Sequence, residues 1–153
     1  MRPFKFRAQA ALDIRRKQEE KAQRALHSAH AAERLAAETE DAARTALARA
    51  NEAARGSFQT ITAASELIWQ GNWMTGLQRD LGRARQTLAE RRSNRQRAAE
   101  NAQHARMQVL VLERLKERQL RAWQLEARRA EQKALDELAG LRFAARQRAT
   151  EEM

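Results

Sequence analysis

The chain contains no cysteine, no tyrosine, one proline and five glycines among its 153 residues. Without cysteine there is no disulfide framework and no thiolate metal centre, a composition that suits a reducing compartment. Pro3 is the only proline and Gly56 the first glycine, so nothing punctuates the backbone between Phe4 and Arg55. No run of eighteen apolar residues occurs, which excludes a membrane-spanning helix. The opening stretch MRPFKFRAQAALDIRRKQEEK becomes strongly charged within a few turns, and no signal-peptide apolar region is expected in it.

What is abundant is Arg, Ala, Glu and Gln, all residues that favour helix. The apolar share is 42 %, much of it Ala, which removes little surface from water per residue. A thin seam is therefore expected in place of a thick core, and the composition points to long helices or a coiled coil. Thirty Lys and Arg face twenty Asp and Glu, for a formal charge of +10. Residues 1–57 hold twelve basic against eight acidic groups and the rest eighteen against twelve, giving +4 and +6. Such a charge attracts acidic protein surfaces, nucleic acid or anionic lipid, and selects none of them.

The spacing predicts two long helices. Ala22, Ala29, Ala36, Ala43 and Ala50 stand seven apart, with Ala25, Ala32, Ala46 and Ala53 at the intervening steps and Thr39 where a further Ala is due. A seven-residue apolar repeat keeps one seam turned toward one partner. Leu12, Leu26 and Leu47 lie one position beyond the second Ala series and are expected to thicken its edge. A first helix over residues 4–55 follows, then a connector over 56–72 with Asn72 as a capping residue, then a second helix over 73–148. On the second helix Leu77, Leu81, Ala84, Leu88, Ala98, Ala102, Ala105, Val109 and Leu112 keep the three-four step, with Arg91 and Arg95 in seam positions. Long Arg stems cover apolar surface while their heads reach water. Beyond Leu112 the seam is expected in a displaced frame through Leu115, Trp123, Ala130, Ala134, Leu138, Leu141 and Ala145.

The fold class expected is all-α: one long antiparallel two-helix coiled-coil hairpin, a single domain. Helices of about 50 and about 75 residues, at 1.5 Å per residue, cannot match end to end. The carboxyl-terminal part of the second is left over as the natural binding element.

Chemistry is sparse. His27 and His30 are three apart, but only Glu33 continues their line, since Arg34 follows; a solvated polar stripe is the expected reading, with no metal site. Glu19, Glu20, Asp136 and Glu137 are adjacent carboxylates on charged helices, a solvated face with no concave pocket to exclude water as general acid chemistry requires. No glycine-rich phosphate loop occurs. Neither catalysis nor a cofactor is expected. RRSNRQR, Arg91 to Arg97, is a dense basic patch that raises nucleic acid as a partner, but it lies inside an intramolecular helix pattern and lacks aromatic stacking groups. Trp69, Trp73, Leu77 and Leu81 form a bulky stripe, which either covers the bend or docks a larger protein; Met74 and Phe58 fit either role.

FKFRAQAALDIRRKQEEKAQRAL, from Phe4, and the later LERLKER, the turn from Arg121 to Trp123 and RRAEQKALDELA resemble the flagellar export protein FliJ family. Glu131, Gln132, Lys133, Leu135, Asp136 and Glu137 carry most of the likeness. The resemblance implies an antiparallel coiled coil similar to the central stalk of a rotary ATPase. It also implies a non-enzymatic cytoplasmic protein at the periphery of the inner-membrane export apparatus. Implied partners are the hexameric export ATPase, the cytoplasmic domain of the export gate membrane protein and substrate-specific export chaperones.

Under that resemblance Trp73, Leu77, Asp80 and Ala84 match the gate-facing positions, although the bulk of Trp69 beside Trp73 departs from the family's single aromatic anchor. Arg118, Arg121, Arg128, Arg129 and Lys133 with Asp136 would meet the ATPase ring, and Trp123 and Leu138 would add apolar contact. Two alternatives stand beside it: the equivalent stalk of a virulence-type III secretion system, and a basic coiled-coil nucleic-acid-binding or scaffold protein.

Overall fold

The computed structural model describes residues 2–57, 59, 60 and 63–151. Two long helices packed against each other make the fold: α1, Gln9–Ser57, and α2, Ala64–Glu151. No strand occurs among the described residues. The all-α helical hairpin expected from the sequence is thus the fold observed, with different bounds. α1 begins at Gln9, not near residue 4. α2 begins at Ala64, well ahead of residue 73, so Asn72 lies inside it and caps nothing. Phe58 lies outside the described residues.

The glycines explain the longer α2. None has positive φ, and a Cβ added at Gly71 or Gly76 would meet nothing within 4 Å. They lower helix propensity without demanding a break. The first turn of α2 carries Glu66, whose charge suits the positive helix start, and the Glu66 N–H donates to the Ala63 carbonyl at 3.2 Å. At the end of α1 the Ser57 hydroxyl donates to the Ala54 carbonyl at 3.1 Å, and the Thr60 N–H donates to the Ser57 carbonyl at 2.9 Å. Carbonyls that a helix end leaves without partners are satisfied in this way. Gln70 Nε2 then donates to Ser57 Oγ at 3.0 Å, tying the start of α2 to the end of α1.

The residues fall into two compact groups, 17–106 and 1–16 with 107–153. In the first, Glu19 pairs with Arg106, Glu33 with Arg95 and Glu40 with Arg85, so numbers fall on α2 as they rise on α1 and the helices are antiparallel. The Ala22 to Ala50 series faces inward as expected. Of the second series only Ala32 does. Ala25, Ala46 and Ala53 are exposed, and the positions one further on, Glu19, Leu26, Glu33, Glu40, Leu47 and Ala54, are the ones turned to α2. Leu removes more apolar surface than Ala, so α1 is rotated to bury Leu26 and Leu47. That rotation carries three glutamates inward, where α2 meets each with arginine.

On α2 of this group Met74, Leu81, Leu88, Arg95 and Ala102 stand seven apart and all face inward, flanked by Leu77, Ala84, Ala98 and Ala105. Of the two seam arginines expected, Arg95 is half-buried and Arg91 is exposed.

In the second group Arg16 pairs with Glu113 at 3.1 Å and Lys116 donates to Gln9 Oε1 at 2.8 Å, again antiparallel. Its core is Phe6, Leu12 and Val109, with Phe4, Ala8, Leu112 and Leu115 packed around it. The stretch before α1 is non-helical for a reason: in a helix two residues apart point about 200° away from each other, so Phe4 and Phe6 could not both lie on α2. The open backbone allows it. Phe4 meets the Trp123 ring at 6.2 Å, Lys116 Nζ sits 6.0 Å over the Phe6 ring, and Trp123 Nε1 donates to the Arg2 carbonyl at 3.2 Å.

The frame displacement expected beyond Leu112 is only partial. Val109, Lys116 and Trp123 keep the seven-residue step, and the flank alone moves by one position, from Leu112 to Leu120 and Ala127. From 128 to 150 every residue is exposed, so Ala130, Ala134, Leu138, Leu141 and Ala145 pack on nothing. The seam is thin, as the composition requires. Of the eleven buried hydrophobics among the described residues, six are Ala: 36, 50, 54, 84, 102 and 105.

Candidate functional site

Two faces of α2 carry the residues singled out from the sequence. The first lies near its start. Trp69 and Trp73 stack with ring centroids 5.8 Å apart and planes 17° apart, and they remain 67 % and 44 % exposed. Leu67 and Ile68 beside them are exposed too. The two indoles therefore shield each other and leave an apolar patch in solvent, a composition suited to docking.

The four residues of the expected gate-facing set do not share one exposure. Trp73 and Asp80 are exposed, Leu77 is half-buried toward the seam, and Ala84 is buried at 8 %. Ala84 forms the floor of a shallow groove whose walls include Leu35, Thr39, Asp80, Arg83 and Thr87. Leu35, 65 % exposed, was not among the residues the sequence put forward. Its signal was available: it is a large aliphatic residue outside both inward series of α1, where Ala and charged groups otherwise prevail.

The second face is the carboxyl-terminal part of α2. Arg118, Arg121, Arg128, Arg129, Lys133 and Asp136 are all exposed. At 100° per residue they fall within an arc of about 140°, so the helix brings these groups together. Trp123 and Leu138 fall on the opposite side of the same helix. The structure therefore does not combine them with the cations in one surface, and Trp123 is already engaged by Phe4 and the Arg2 carbonyl. Within the arc, Arg121 lies 3.5 Å from Glu117 and Lys133 4.0 Å from Glu137, single-turn pairs on an exposed helix that contribute little to stability. Asp136 accepts from Gln132 Nε2 at 2.9 Å.

The basic patch at 91–97 is partly spent inside the fold. Arg92 and Arg95 both reach Glu33, at 3.7 and 2.7 Å, and Arg97 donates to Ser93 Oγ at 3.4 Å. A nucleic acid would meet less charge there than the sequence suggests. His27 and His30 are exposed, and no group of three His, Cys, Asp or Glu among the described residues is placed to hold a metal ion. No described helix is long and apolar enough to cross a membrane.

An antiparallel helix pair with an Ala-rich, ion-paired seam defines a coiled-coil protein. The chain belongs to the flagellar FliJ protein family, whose family model matches residues 4–148. No curated protein and no solved structure matches it. Membership of that family supports a role in flagellar protein export.

Proposed function

We propose that this protein is a non-enzymatic stalk and escort component of flagellar type III export, binding the export ATPase ring, the export gate and substrate-specific chaperones. The observation that carries this is the family match over 4–148 on a chain whose α2 ends in an exposed basic arc. ATP is hydrolysed by the partner, and this chain contributes contact and coupling. Arg118, Arg121, Arg128, Arg129 and Lys133 steer the helix toward acidic groups lining the ring, an attraction that governs encounter and orientation more than final affinity. Trp73 with Asp80, joined by Trp69 and the groove beside Leu35, forms the gate-facing surface. The protein works at the periphery of the inner-membrane export apparatus.

The test is co-purification with the cognate export ATPase at low salt, followed by hydrolysis assays with and without this chain. Association that falls with salt, and falls again on Arg128→Glu with Arg129→Glu, is the expected result. A well-folded helical sample that neither binds the ATPase nor alters its turnover sinks the proposal.

A further inference from the structure

We infer that the exposed carboxyl-terminal part of α2 pairs with a second copy of this chain, antiparallel, through Ala130, Ala134, Leu138, Leu141, Ala145 and Ala149. All six are exposed. Their successive steps are four, four, three, four and four, and their types run Ala, Ala, Leu, Leu, Ala, Ala. Both series read identically in either direction, with the midpoint between Ala139 and Gly140. A stripe that meets its own reverse is what a two-fold antiparallel pair requires, because such an interface uses the same patch on both copies. Leu138 of one copy lies opposite Leu141 of the other, Ala134 opposite Ala145, and Ala130 opposite Ala149.

Charge selects the same arrangement independently. Residues 131–137 hold Glu131, Asp136 and Glu137 against Lys133 alone, a net −2. Their mirror image about that midpoint is 142–148, which holds Arg142, Arg146 and Arg148 and no acid, a net +3. Antiparallel pairing sets acid against base in both halves. Parallel pairing would set each against its like, which is unfavourable.

The stripe also continues a surface already used for packing. Lys116, Trp123 and Ala127 face inward, and at 100° per residue the six residues follow the same line along α2. The seam runs on past the end of its partner, and a second copy extends it. Because α2 is already helical here, the nucleation cost that defeats short isolated helices does not arise. Twenty residues span about 30 Å, and two Leu layers flanked by Ala bury less than the roughly 1,200 Å² of stable interfaces. The pair is therefore concentration-dependent. The basic arc points to the opposite side of the helix, so it remains open in the pair.

Sedimentation equilibrium of the full chain from about 5 to about 300 μM tests this. The expected result is a weight-average mass rising from 17.6 kDa toward twice that value. Leu138→Arg with Leu141→Arg should weaken association at least about tenfold, with the far-UV helix signal retained. Orientation is read by introducing one thiol per molecule into this cysteine-free chain. Ala134→Cys protein mixed with Ala145→Cys protein should give the mixed disulfide ahead of either homodisulfide. A monomer across the whole range, association indifferent to the double substitution, or dominant homodisulfides would each overturn the inference. No export ATPase is present in any arm, so these outcomes are separate from those of the proposed function.

Discussion

Glu33 stands at an inward position of α1 and accepts a hydrogen bond from Arg95 Nε at 2.7 Å, with Arg92 Nε 3.7 Å from its other oxygen. Its side chain is only 22 % exposed, and that of Arg95 34 %. The pair is neither a solvated surface contact nor a fully buried one. It lets a carboxylate occupy a place where the heptad calls for Leu or Ala, and with Glu19 and Glu40 it matches one acidic set on α1 to one basic set on α2 in a single antiparallel register.

A double-mutant cycle on Glu33→Ala and Arg95→Ala should give a coupling of about 1 kcal/mol, the upper end for solvent-accessible pairs. Urea unfolding of the four proteins measures it. A coupling within error of zero would mean that this contact does not hold the register.

Leu12 and Val109 are fully buried, whereas Leu135 is 61 % exposed. Leu12→Ala should cost about 3 kcal/mol through lost burial and an unfilled space. Leu135→Ala should stay within about 0.5 kcal/mol. Equal losses at the two sites, seen as equal shifts of the thermal midpoint, would contradict the packing described.

Gly71 and Gly82 lie in α2 with helical backbone and open space where a Cβ would stand. Gly71→Ala and Gly82→Ala should each stabilise by about 0.5–1 kcal/mol, from propensity alone. Chemical denaturation reads the gain. A loss at either position would show that a helical glycine is required there.

Trp123 offers an optical test of the amino-terminal packing. In a protein carrying Trp69→Phe and Trp73→Phe it is the sole indole. Phe4→Ala should then shift its emission to the red, because the ring now 6.2 Å away is removed and water enters. An unchanged spectrum would mean that Phe4 does not shield it.

Much of this was legible in the residues. The Ala22 to Ala50 series, the Leu81 to Leu88 step and the uninterrupted charged helices all announce an antiparallel coil. Three features were harder to read. The rotation of α1 depends on Leu26 and Leu47 outweighing Ala25, Ala46 and Ala53, and the glutamates in that series look like solvent residues until arginines from sequence-distant α2 are placed against them. The early start of α2 was hidden by Gly71, Gly76 and Asn72, whose local preference for turns is overridden by a helix that continues on both sides. Phe4 and Phe6 sit beside a run of strong helix formers, and only the position of Trp123 and Lys116 explains why the backbone stays open before Gln9. Of the candidate faces, the basic arc follows from periodicity, whereas the burial of Ala84 and the exposure of Leu35 depend on how far α1 is turned.

The amino-terminal clasp also sets a timetable for synthesis. Phe4, Phe6 and Leu12 leave the ribosome long before the residues that cover them, from Val109 to Trp123. Contacts of such sequence separation are slow to form and leave apolar groups uncovered meanwhile. Until then the nascent polypeptide displays two phenylalanines with nothing to pack on. This group of residues can close only after Trp123 has been translated.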